Sequence, residues 1–132
     1  QGARAPHPAA ARHGAPGAMT RWPPDWFGGA RVLVIGGTSG IGAGIADAFA
    51  AAGAQVSVTG VTAAEVAAQP HPGAALDLRD GAAVAAVIGG LPRLDHLISC
   101  AGVIRRGAEQ DPDTFADVID INLTGAMRAA QA

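Results

Sequence analysis

Short β-branched apolar runs alternate along this chain with segments whose apolar positions recur every three or four residues. Arg31 leads the run Val32-Leu33-Val34-Ile35, which ends in a glycine-rich turn and predicts a buried strand. Ile41, Ile45, Ala48, Phe49 and Ala52 follow at helical spacing, with Gly53 as the stop. Gln55 to Thr59 reads as a second strand, Ala63 to Ala68 as a short helix closed by Pro70, and Ala74 to Leu78 as a third strand. Asp80 is placed to cap a helix carrying Val84, Val87 and Ile88 before Gly89-Gly90, and Leu94 to Ser99 reads as a fourth strand. The last helix begins near Asp111-Pro112, and its stripe is Phe115, Val118, Ile119, Asn122, Leu123, Ala126 and Met127.

Strands and helices alternating at this spacing call for parallel strands joined by right-handed crossovers. The expected architecture is α/β, a doubly wound parallel sheet of Rossmann-like form with strand order 3-2-1-4. Four strands make little more than half of such a fold, so the sheet is expected to be incomplete and its fourth strand an open edge. Before Trp22 the pattern is different. Residues 1–18 are almost entirely Ala, Pro, Gly, Arg and His, with no acidic residue and no apolar period. Such a stretch buries too little to offset its ordering entropy, so residues 1–21 read as a disordered tail and 22–132 as the N-terminal part of one truncated domain. Arg4 and Arg12 faintly resemble a transit peptide, but Pro and Gly interrupt any amphipathic helix. Met19 reads as the natural start, and both ends of the sequence read as cuts. Trp22, Trp26 and Phe27 around Pro23-Pro24 form a lead-in expected to pack its rings on the domain.

Composition narrows the function classes. The chain has 132 residues, 49% of them hydrophobic and 15% charged, which is the composition of a folded domain. A formal net charge of -2 supplies no field for nucleic acid or anionic lipid, and no run reaches the length of a membrane span. One cysteine excludes an intrachain disulfide and a cysteine-built zinc site, and a reduced, cytoplasmic setting is the default. His7 and His13 fall in the tail, His71 between prolines and His96 in a strand, so no metal site is expected. All nine basic residues are arginine and tyrosine is absent. No mechanism requiring a tyrosine acid or a lysine is possible within this chain.

The chemistry concentrates in Gly36-Gly37-Thr38-Ser39-Gly40-Ile41-Gly42, between the first strand and the first helix. A glycine turn there lets backbone N–H groups approach a pyrophosphate, and the helix N-terminus adds favourable partial charge. Gly36 permits the tight turn, Gly40 the ligand's approach, and Gly42 close helix-on-strand packing, while Thr38 and Ser39 offer hydroxyls. The bland reading is a turn that merely joins strand to helix. A P-loop is excluded because no lysine exists to reach terminal phosphates.

This spacing resembles the TGxxxGIG segment of the short-chain dehydrogenase/reductase family. Asp77-Leu78 resembles that family's adenine-contacting acid and its neighbour. The run LDHLISCAG, Leu94 to Gly102, is similar to the strand ending in NNAG, which places Cys100, Ala101 and Gly102 beside the cofactor. The run DVIDINLTG, Asp117 to Gly125, is similar to the helix carrying the family's structural and catalytic asparagine, here Asn122. The resemblance covers Arg31 to the C-terminus. It implies Gly36, Thr38, Ser39, Gly40, Ile41, Gly42, Asp77 and Leu78 as further cofactor-binding positions, and Asn122 as the one catalytic position present.

The departures carry expectations of their own. Ile35 replaces a threonine, which costs a hydroxyl that braces the backbone. Ser99 and Cys100 replace the two asparagines, with Ser99 bracing neighbouring strands in part and Cys100 serving as a small buried apolar residue. Without the resemblance, Asp77 reads as a solvated strand-end residue, and Asn122 as a core amide satisfied locally. Arg105-Arg106 read either as a solvated face or as a meeting point for an acidic substrate.

The resemblance implies NAD or NADP as cofactor. A bare ribose calls for an acid after the second strand and a ribose phosphate for a cation. Thr59-Gly60-Val61-Thr62 supplies neither, and Ser39 stands where a cation would help, which leans toward NAD unless Arg79 compensates. The implied function is the cofactor-binding portion of an oxidoreductase that interconverts a small-molecule alcohol and ketone, homo-oligomeric at full length. The family's Ser, Tyr and Lys lie outside this chain, which alone is expected to be inactive. A non-catalytic dinucleotide sensor or relic is the alternative, ahead of a nucleotide-sugar epimerase or dehydratase, whose glycine turn is spaced differently.

Overall fold

The computed structural model describes residues 22–132, and the tail expected over 1–21 lies outside them. Strand β1 (Arg31–Ile35) divides its apolar side chains between two cores, Leu33 and Ile35 facing one way and Val32 and Val34 the other. A strand apolar on both sides must be covered on both. Strands β2 (Gln55–Gly60), β3 (Gly73–Ala75) and β4 (His96–Ser99) join it in a parallel sheet of order β3-β2-β1-β4, the order expected for a doubly wound sheet. Val34 lies opposite Val58 of β2 and Ile98 of β4.

The helices are α1 (Gly40–Ala51), α2 (Ala63–Ala67), α3 (Gly81–Gly89), α4 (Pro112–Ile119) and α5 (Gly125–Gln131). A π-helical turn, Asp120–Thr124, joins the last two. On one face Val84 and Ile88 of α3 and Ala129 of α5 pack with Leu33, Ile35, Leu76 and Leu78. On the other, Ala46 and Phe49 of α1 pack with Val32, Val34, Val56 and Val58. The aromatic lead-in closes that second core, with the Phe27 ring 4.7 Å from Phe49 and the Trp22 ring 4.9 Å from Phe27. Among the described residues no helix is long and apolar enough to cross a membrane.

Several sequence expectations need correction. The third strand stops at Ala75 rather than Leu78. After one further bond, Leu76 N–H to the Gly60 carbonyl at 2.8 Å, the chain turns to bury Leu76 and Leu78. The fourth strand starts at His96 rather than Leu94, because Asp95 pairs through its carboxylate with the Arg31 N–H at 2.8 Å. The stripe of α1 is also displaced. Its buried positions are Gly42, Ala46 and Phe49, while Ile41 is 80% exposed and Ala48 is exposed. Gly42 meets the Gly36 carbonyl at the turn, which leaves its neighbour Ile41 facing outward.

The final helix starts as predicted, with the Asp111 carboxylate accepting from Thr114 N–H at 2.9 Å. Its apolar stripe faces outward. Phe115, Ile119, Leu123 and Met127 are 37–65% exposed, whereas Gly125 and Ala129 are buried. The π turn lets the chain continue past Asn122 while Gly125 comes down on Leu78, so close that a Cβ there would lie 2.7 Å from the leucine Cβ.

Candidate functional site

The four strands end at the same edge of the sheet, and the connections leaving them enclose a cleft of about 470 Å³. Open α/β sheets bind ligands at this edge, where the strand order reverses. Here the reversal falls between β1 and β4. Gly36, Thr38, Ser39, Gly40, Ile41, Gly42, Asp77, Leu78, Cys100, Ala101 and Gly102 all line this cleft. Asn122 does not line it; the amide stands beside Gly102 and Val103.

The turn after β1 is shaped by its glycines. Gly36 has φ +73°, and a Cβ there would lie 2.6 Å from Ala101 N and 2.7 Å from Ala101 Cα. Glycine therefore serves both the left-handed turn and the approach of the β4 end. Gly40 also has positive φ, +53°, but its missing Cβ would meet nothing within 4 Å, since it faces open space. Ser39 is the extended N-cap of α1 and its hydroxyl makes no capping bond, so among the described residues the first-turn N–H groups of α1 have no side-chain partner. No acidic residue stands in that turn to offset their partial positive charge.

The hydroxyl absent at Ile35 is replaced from the neighbouring strand. Thr59, only 2% exposed, accepts from the Gly36 N–H at 3.3 Å, and its carbonyl accepts from Gly37 N–H at 3.0 Å. Ser99, on the outer strand β4, is exposed, and among the described residues its side chain makes no hydrogen bond. Cys100 is half-buried against the α1-side core, as a small apolar residue would be.

Asn122 is exposed rather than part of the core, and both ends of its amide are used. Its Oδ1 accepts from Val103 N–H at 2.8 Å and its Nδ2 donates to the Val103 carbonyl at 2.9 Å. This paired clamp fixes the loop after β4 against the π turn. Sequence reasoning singled out the asparagine and not its partner, which lies nineteen residues away.

At the β3 side, Asp77 is held by Arg79. The guanidinium Nη2 donates to Asp77 Oδ2 at 2.6 Å, and the Arg79 backbone N–H donates to Oδ1 at 2.9 Å. These bonds, the side-chain one foremost, lower the Asp77 pKa to about 2. Arg79 also reaches Asp117 of α4 at 2.8 Å. The guanidinium is thus committed to two carboxylates, a pairing that sequence spacing did not reveal. Glu65 of α2 also lines the cleft and was likewise missed, although the Thr62-x-x-Glu65 capping-box signature was legible.

The family model described as short chain dehydrogenase matches residues 30–132. The chain belongs to this family. Among curated short-chain dehydrogenases, D-threitol dehydrogenase from Mycolicibacterium smegmatis is 36% identical over 115 residues, covering 76% of this chain and 44% of that protein. Among solved structures, a candidate short-chain alcohol dehydrogenase from Sinorhizobium meliloti is 36% identical with TM-score 0.70, covering 80% of this chain and 48% of its own. Aldohexose dehydrogenase from Thermoplasma acidophilum, at 22% identity and TM-score 0.73, shares the fold over 81% of this chain and 44% of its own. This short-chain dehydrogenase sequence therefore spans less than half the length of each of these relatives.

Proposed function

We propose that this chain is the cofactor-holding portion of an NAD(P)-dependent oxidoreductase that interconverts an alcohol and a ketone. The observation that carries the reading is the uncapped N-terminus of α1, opening at Gly40 into the cleft between the β1 and β4 ends. A dinucleotide fits these residues. The N–H groups of Gly40, Ile41 and Gly42 would hold the pyrophosphate, with the Thr38 and Ser39 hydroxyls in reach. Asp77 and the Leu78 backbone would receive the adenine, and Cys100, Ala101 and Gly102 would border the other half. When bound, the nicotinamide supplies hydride chemistry.

Asn122 acts as a positioning residue. Its amide holds Val103, and with it the loop that follows the strand end at Gly102. Reduction of a ketone also needs a proton at its oxygen. With neither tyrosine nor lysine in the chain, that proton comes from residues outside it, and the chain alone does not turn over. D-threitol, named for the relative that is 36% identical, supports polyols as the substrate class. The exposed stripe of α4 and α5 is the surface through which full-length copies associate. The single cysteine fits a reducing cytoplasmic setting.

The test is Gly40→Val, which puts a branched side chain where the pyrophosphate approaches. Calorimetric NADH binding is expected to disappear while circular dichroism still reports the folded chain. Unchanged affinity in a folded variant overturns the assignment.

A further inference from the structure

The end of β2 is where open α/β sheets read the adenosine ribose, through a carboxylate for a free hydroxyl or a cation for a phosphate. Neither group is present at Thr59-Gly60-Val61-Thr62. The fold brings a carboxylate there from α2. The Thr62 hydroxyl accepts from Glu65 N–H at 3.2 Å, and the Glu65 side chain turns back so that Oε2 accepts from Val61 N–H at 2.8 Å and Thr62 N–H at 3.2 Å. Both bonds end on Oε2, which leaves Oε1 as an acceptor for a ligand. Gly60 makes room, since a Cβ on it would lie 3.0 Å from Glu65 Oε2 and 2.7 Å from Thr38 Cγ2. Gln69, just beyond α2, donates to the Thr38 carbonyl at 2.7 Å, so the element carrying Glu65 is tied to the glycine turn.

The charges around the cleft favour the same reading. Its arginines are Arg79 and Arg105. Arg79 is engaged by Asp77 and Asp117, at 2.6 and 2.8 Å. Arg105 follows β4, which lies on the opposite side of β1 from β2. Two strand spacings, about 10 Å, separate those strands. Among the described residues, no cation stands on β2, on α2 or on the turn between them.

We propose that Glu65 is the specificity-determining residue of the cofactor site, accepting a hydrogen bond from the adenosine ribose and repelling a 2′-phosphate. The carboxylate comes from a helix cap rather than from the strand end. The inference rests on the dinucleotide reading above.

The experiment titrates NADH and NADPH into the purified full-length protein, as wild type and as Glu65→Gln, with calorimetric readout. Gln retains the capping geometry and loses the charge. Wild type is expected to bind NADH tighter than NADPH by roughly tenfold or more, and Glu65→Gln to lower that ratio by roughly tenfold. A purely structural role for Glu65 would weaken both ligands equally. Wild-type preference for NADPH, or a ratio that stays within about twofold of wild type in Glu65→Gln, overturns the proposal while leaving the dinucleotide reading intact. Binding of neither ligand by wild type overturns both. Glu65→Ala, which keeps the Thr62 half of the cap, is read in the same way if the Gln variant fails to fold.

Discussion

Alanine at Gly36 and alanine at Gly40 separate two physical roles that look alike in sequence. Both glycines have positive φ, +73° and +53°, so each substitution carries the left-handed penalty of about 1–2 kcal/mol. Both also gain the same small benefit from a stiffer unfolded chain. The difference lies in what the new Cβ meets. At Gly40 it meets nothing within 4 Å, whereas at Gly36 it would stand 2.6 Å from Ala101 N. Carbon settles about 3.5 Å from such a neighbour, so the end of β4 must retreat by roughly 0.9 Å. A retreat along that direction lengthens the bond from Cys100 N–H to the Ile35 carbonyl, 2.8 Å in this structure, beyond useful reach. Overpacking of about 1–3 kcal/mol and a lost hydrogen bond of about 1 kcal/mol make Gly36→Ala about 2–4 kcal/mol worse than Gly40→Ala. Urea unfolding of the two variants under one set of conditions measures this, as a midpoint gap of about 1 M or more. Two variants equally stable within about 0.5 kcal/mol would refute the claim that Gly36 is reserved for strand approach.

Two further outcomes follow from the charges and the outer helix. The depressed Asp77 pKa means that its contribution to stability is present above pH 3.8 and lost as pH falls toward about 2. With the Asp77 side chain 42% exposed, solvent screening limits that contribution to less than about 1 kcal/mol. Asp77→Asn should therefore show a shallower loss of stability in acid unfolding, and identical pH slopes would refute the pairing. Phe115→Glu combined with Met127→Glu, on the exposed stripe, should shift the protein toward smaller species in sedimentation at neutral pH. An unchanged distribution would show that association does not use this face.

Local chemistry made much of the candidate site legible. Gly36, Gly40 and Gly42 stand between an apolar strand and a helical period, and that order alone predicts a turn opening at a helix N-terminus. Bonds between residues distant in sequence were hidden. Thr59 braces Gly36 from twenty-three residues away, and Arg79 reaches Asp117 across thirty-eight.

The sequence by itself determined the alternation of elements, the turn at Gly36 and the cap at Asp80, because each follows from local periodicity or a single side chain's reach, and the strand order follows the doubly wound pattern. Tertiary structure decided which way each amphipathic face points. Periodicity fixes the spacing of a stripe and leaves its outlook open. In α1, contact between Gly42 and the Gly36 carbonyl turns Ile41 outward. In the last helix, the π turn lets Gly125 seat on Leu78. The sheet also brings Glu65, held by its local bond to Val61 N–H, into one cleft with the glycine turn.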